Sequence, residues 1–185
     1  MSTRTVSIAS AVWCVLAISP PAALTVALAD NFIGGEGGSQ FGEINCPRGQ
    51  AVVGLGGRSG LVLDTFQILC GKANGGPDVL DPRRIGPSNG GSPVGAVCPP
   101  LHVARGIQID AREFNGQIVI SQLTLTCELK SGEGRSRVTL GQGGGDDAGS
   151  SECPVNTFIA GFAGRSGLFI DAVGISVCRK VRALN

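Results

Sequence analysis

CPVNTFIAGFAGRSGLFIDAVGISVC, residues 153–178, begins and ends on cysteine and carries two apolar runs around Gly164-Arg165-Ser166-Gly167. An earlier stretch, residues 46–70, repeats the design as CPRGQAVVGLGGRSGLVLDTFQILC. A third, more altered copy runs from Cys98 to Cys127. In the first copy Ala51 to Leu55 reads as a strand. Gly56 to Gly60 then reads as a turn and Leu61 to Leu69 as a second strand, rich in β-branched and apolar residues. Each copy is therefore expected to be a β-hairpin.

The hairpins suggest a cysteine pairing. Cys46 and Cys70 are equidistant from Arg58, and Cys153 and Cys178 from the Arg165–Ser166 bond. Cys98 and Cys127 are equidistant from the Arg112–Glu113 bond, inside the turn candidate Ala111 to Gly116. Residues facing each other across a hairpin have Cβ atoms ~4.5–5.5 Å apart, close to what a disulfide tolerates. Six cysteines allow 15 connectivities. The three copies favour Cys46–Cys70, Cys98–Cys127 and Cys153–Cys178. Each bridge closes a loop worth on the order of 3 kcal/mol in the chain-entropy model.

The repeat is larger than the hairpin. Gly34-Gly35-Glu36-Gly37-Gly38, Gly90-Gly91 and Gly143-Gly144-Gly145 each end seven or eight positions before a Cys-Pro pair. Asp30 to Ile33 and Val138 to Leu140 read as short strands, and Gly71 to Val97 as a long surface loop. No segment reads as a helix, because strong helix formers are sparse and glycine is everywhere. The fold class is all-β. Three hairpins, each with a preceding strand pair, imply three small sheets around a pseudo-threefold axis, one disulfide per repeat.

Residues 1–29 read as a signal peptide. Arg4 gives a positive start, Val6 to Ile18 an apolar run of 13 residues broken by Pro20-Pro21, and Ala27-Leu28-Ala29 a cleavage site. Residues 30–185 would then be a single secreted domain, at the cell surface, in the periplasm or in the medium. Cleavage removes Cys14, leaving an even six, as expected of an exported disulfide protein. Loss of Arg4 takes the net charge from +1 to zero. A neutral chain with no basic stripe is a poor match for nucleic acid or an anionic membrane. No further apolar run approaches the ~20 residues of a spanning helix.

At FIAGFAGRSGLFIDAVG, residues 158–174, the chain resembles the C-terminal motif of the jacalin-related lectins. There an apolar strand, a Gly-Arg-Ser-Gly turn and an Ile-Asp-Ala strand follow in that order. Gly34 to Gly38 is similar to the glycine loop with which those lectins begin. The disulfide-linked repeats also resemble vitelline membrane outer layer protein. Both resemblances imply a β-prism of three antiparallel Greek-key sheets.

In the lectins a sugar sits between the glycine loop and a Gly-x-x-x-Asp loop. The matching positions are Gly34, Gly35, Gly37 and Gly38 with Gly167, Leu168, Phe169 and Asp171. A second candidate site matches Gly60, Leu61, Val62 and Asp64 with Gly90 and Gly91. An ionised carboxylate only accepts hydrogen bonds and can hold two neighbouring hydroxyls. In the middle copy the acidic position falls on Ile120 and the glycine on Gly116, so no site is expected. Gly106 to Asp110 matches the letters but lies on the outgoing strand. Arg58 and Arg165 are expected to stabilise turns, and the alternative to sugar binding for Asp64 and Asp171 is to pair with them or accept bonds from turn N–H groups. The family's stacking Tyr or Trp is missing: there is no Tyr, and the one Trp lies in the leader.

Other chemistries find little support. Asp146-Asp147 supplies too few oxygens for calcium. There is no Cys-x-x-Cys spacing for zinc, and His102 has no positioned nucleophile with which to form a triad. No metal or cofactor is implied. The expected function is a non-enzymatic, carbohydrate-binding protein with a glycan partner. The alternative is a disulfide-locked envelope or extracellular scaffold that binds no sugar.

Overall fold

The structure, a computed structural model, describes residues 31–72, 79–129, 131 and 134–180. The expected signal peptide and Asp30 lie outside the described residues.

Twelve strands are present among the described residues: β1 (Ile33–Gly34), β2 (Ser39–Asn45), β3 (Ala51–Ser59), β4 (Leu63–Gly71), β5 (Val79–Leu80), β6 (Ser92–Val97), β7 (His102–Phe114), β8 (Gln117–Leu129), β9 (Arg135–Gly141), β10 (Asp146–Glu152), β11 (Phe158–Ser166) and β12 (Ile170–Arg179). They form three four-stranded antiparallel sheets, ordered β5-β4-β3-β6, β10-β7-β8-β9 and β1-β12-β11-β2. This is the β-prism of three Greek-key sheets that the repeats imply.

The repeats are wired differently from the expectation. Each hairpin is completed by the two strands that follow it, not by the pair that precedes it. β5 and β6 flank β4 and β3, and β9 and β10 flank β8 and β7. The last hairpin is flanked instead by β1 and β2, from the N-terminal side of the chain. Gly71 to Val97 is accordingly not a plain loop, since it carries β5 and β6.

The turns also sit later than expected. Gly56 to Ser59 continues β3, because it is hydrogen-bonded on both sides: Arg58 faces Thr65 on β4 and Pro93 on β6. The reversal falls at Gly60-Leu61-Val62, where the Gly60 N–H donates to the Val62 carbonyl at 3.0 Å. In the last copy the Gly167 N–H donates to the Phe169 carbonyl at 2.9 Å. In the middle copy the turn is Asn115-Gly116, between β7 and β8.

All three disulfide pairings are as expected, with Cα separations of 5.5, 5.7 and 5.7 Å. The hairpin geometry behind them is not. Cys70 faces Val52 across its hairpin, because the chain spends residues 47–50 on a turn before β3 begins. Cys46 follows β2 at the edge of one sheet, whereas Cys70 lies in β4 of the next. Cys98–Cys127 and Cys153–Cys178 likewise cross between sheets, so the three bridges form a closed ring of ties. The first cysteine of each pair also donates its N–H to the neighbouring strand of its own sheet, to Ala160, Val53 and Arg105 at 2.7–2.8 Å, which continues the edge-strand pairing up to the bridge.

Alternation places one face of each sheet on the common axis. Phe66, Ile68, Ile109, Leu123, Leu125 and Phe162 are fully buried there. Phe66 meets Phe41 and Phe162 edge to face, at 5.8 and 6.2 Å between ring centroids. This arrangement adds to simple area burial and joins two sheets. A smaller cluster of Ala51, Val53, Val103 and Phe158 gathers the first residues of the three hairpins.

Candidate functional site

Residues 34–38 connect β1 to β2, which flank β12 and β11. The same sheet therefore carries the glycine loop and the Arg165–Asp171 turn side by side. The Gly35 N–H donates to the Asp171 carbonyl at 2.8 Å. Arg165 reaches across with Nε to the Gly37 carbonyl (2.8 Å) and Nη2 to the Gly38 carbonyl (2.9 Å). Carbonyl oxygens 127 and 128 residues away in sequence are thus fixed by one planar fork, which suits guanidinium geometry.

The loop lies close over the Asp171 carboxylate. A Cβ on Gly37 would collide with Asp171 Oδ1, and one on Gly38 with Oδ2. Gly38 also has φ of +61°, which other residues rarely adopt. Asp171 is 1% exposed, and its Oδ2 has no hydrogen-bond partner in the protein. Burial pushes its pKa above the usual carboxylate range, opposed by a Gly167 N–H and by the charge of Arg165.

The second candidate site has the same construction. Arg58 Nε and Nη2 donate to the Gly90 and Gly91 carbonyls, both at 2.6 Å. A Cβ on Gly90 would collide with the Asp64 carboxylate. Asp64 is buried and its Oδ2 also lacks a partner. Burial raises its pKa, against the Gly60 N–H and the charge of Arg58. The structure thus brings together Gly60 to Asp64 with Gly90-Gly91, and Gly34 to Gly38 with Gly167 to Asp171. Neither arginine hydrogen-bonds its aspartate. Each fixes the opposing glycine loop instead.

The third corner keeps the loop and loses the charge. Ser121, not Ile120, occupies the place of the aspartate: a Cβ on Gly145 would lie 2.5 Å from Ser121 Oγ. Ser121 is fully buried and donates to the Asp110 carbonyl at 3.1 Å. The count from Cys127 fails by one residue because it carries over the last copy's spacing of seven, which includes a bulge at Ser176 in β12 that β4 and β8 lack; the first copy's spacing of six, Asp64 to Cys70, falls on Ser121. Asp110 itself lies on β7 and accepts from Gln122 Nε2 at 3.0 Å, apart from any glycine loop contact.

Sequence reasoning missed one wall of the Asp171 site. The tip of the β7–β8 hairpin comes from another sheet and stands beside it. Phe114 packs edge to face on Phe169, with ring centroids 5.2 Å apart. A Cβ on Gly35 would run into the Ile118 carbonyl, and Gln117 Oε1 lies 3.6 Å from where a Gly37 Cβ would sit. The site therefore has two aromatic rings rather than one. No linear motif marks this tip, whose proximity is a product of the threefold packing. Leu168 and Leu61, at the tips of the two turns, are 76% and 62% exposed.

No family model and no curated protein sequence matches the chain. Solved structures do. Malaysian banana lectin aligns with a TM-score of 0.56 and 25% identity over 82% of this chain and 96% of its own. Artocarpin in complex with mannotriose aligns at 0.59 and 19%, covering 84% and 98%. The agglutinin of Calystegia sepium aligns at 0.62 and 17%, covering 83% and 97%. The structural neighbours of this chain are jacalin-related lectins, and its fold is theirs.

Proposed function

We propose that the protein is a secreted, non-enzymatic carbohydrate-binding protein whose principal site is the Asp171 corner. The observation that carries this reading is a buried carboxylate with an unsatisfied oxygen beneath a glycine loop whose carbonyls are already fixed by arginine. An unsatisfied buried acceptor is costly. Hydroxyls of a sugar ring are suitable donors, and glycines let the ring approach the backbone closely. Artocarpin has been solved with mannotriose and with methyl α-mannose, which supports a mannose-type hexose as the ligand. Asp64 offers a second site of the same chemistry. All six cysteines among the described residues are bridged, leaving no thiol there for nucleophilic catalysis.

A glycan array and calorimetry on the wild type and on Asp171→Asn test the proposal. Charge-assisted hydrogen bonds are worth ~1.5–3 kcal/mol, so affinity should fall about 10- to 100-fold while the fold is kept. The scaffold reading rests on the near-complete burial of both carboxylates. If it holds, the wild type binds no glycan at high concentration, and Asp171→Asn changes only stability.

A further inference from the structure

A groove of about 180 Å3 crosses the outer face of the sheet that carries Asp171. Its floor is the facing pair Ala163 on β11 and Gly174 on β12. Both point away from the axis, because their neighbours Phe162, Val173 and Ile175 point into the core. Phe32 forms one wall, and its ring lies against Gly174: a Cβ there would be 3.2 Å from Phe32 Cδ1. Gln40 and Glu43 on β2 line the other side. Ser176 also lines the groove, but its hydroxyl oxygen is buried beneath the surface.

The groove lies beside the Asp171 corner on the same sheet. Gln40 faces Arg165 across the β2–β11 ladder, and Arg165 holds the loop carbonyls over the carboxylate. It supplies the aromatic face of Phe32 together with the side-chain amide of Gln40. Glu43, which accepts from Asn45 Nδ2 at 2.9 Å, adds negative charge that disfavours an acidic ligand. At about 180 Å3 it is smaller than the ~300–1,000 Å3 of sites for drug-sized ligands, and so suits a single further sugar ring.

We propose that this groove is an extension of the Asp171 site, in which a further ring of a neutral oligosaccharide lies on Phe32 and hydrogen-bonds to Gln40. The inference rests on the carbohydrate reading of Asp171 and goes further, in assigning the protein an oligosaccharide rather than a single sugar. Titration calorimetry with methyl α-mannoside and with mannopentose, on the full chain, tests it. The wild type should bind the longer sugar about tenfold more tightly, the size of one or two net hydrogen bonds. Phe32→Ala and Gln40→Ala should each remove most of that advantage while binding the monosaccharide as before. Equal affinity of the wild type for the two sugars overturns the groove and leaves the Asp171 site standing. So does an advantage that survives both variants, or a loss of monosaccharide binding at unchanged melting temperature. Binding of neither sugar overturns both readings.

Discussion

Asp171 and Asp64 work against folding at neutral pH. Burial raises both pKa values above the ordinary 3.8, so the folded chain holds these protons more strongly than the unfolded chain. As pH falls through the raised folded values toward 3.8, the folded state gains a proton first, and stability from these groups increases. Below 3.8 both states are protonated and the gain levels off. Asp81 runs the other way. Its hydrogen bonds with Arg83, 2.7 Å at the shortest, lower its pKa. Its contribution is present above 3.8 and is lost as pH falls further. Asp64→Asn/Asp171→Asn should therefore melt higher than the wild type at pH 7, with the difference shrinking toward pH 4. Calorimetric melts across that range check this, and a difference independent of pH would show that the carboxylates ionise normally. Sugar binding needs the ionised form, so affinity should weaken over the same window. The aspartates were legible in the sequence through their Gly-x-x-x-Asp spacing. Their burial was not, because the loop covering Asp171 lies more than 130 residues earlier.

At the scale of the element, the glycine loop and the turn beneath it fit without spare room. Gly37→Ala places a methyl group on Asp171 Oδ1, and overpacking of this kind costs about 1–3 kcal/mol. Gly42→Ala, on the adjoining strand, meets nothing within 4 Å and serves as the control. Denaturant midpoints should separate the two variants, and affinity for a monosaccharide should fall only in the first. The strands themselves were readable from apolar and β-branched runs. The turn position was not: Gly-Arg-Ser looks like a reversal, but Arg58 and Arg165 lie in strands bonded on both edges. Their guanidinium groups serve the neighbouring loop, a role that depends on which strand ends up alongside.

For the whole molecule, the ring of bridges matters more than any single hairpin. Cys98→Ala/Cys127→Ala should lose on the order of 3 kcal/mol. Hydrogen exchange should quicken in both β6 and β8, since the bridge ties their two sheets. Exchange confined to the β7–β8 hairpin would contradict an inter-sheet tie. Non-reducing peptide mapping gives a direct check of the three pairs. Equal spacing about the turns led to the right partners through an incorrect geometry. Each repeat begins in one sheet and finishes in the next, so a cysteine at each end of the repeat necessarily spans a seam. The same wiring has a temporal consequence. β1 and β2 have no partners until β11 and β12 exist, and domains emerge from synthesis N-terminal end first. The opening strands thus wait as an unpaired edge, a known hazard for aggregation, through most of the chain's production. The Asp64 corner is complete once Gly91 has emerged, whereas the Asp171 corner closes only with the final hairpin. A nascent chain halted before that hairpin carries one aspartate corner and not the other.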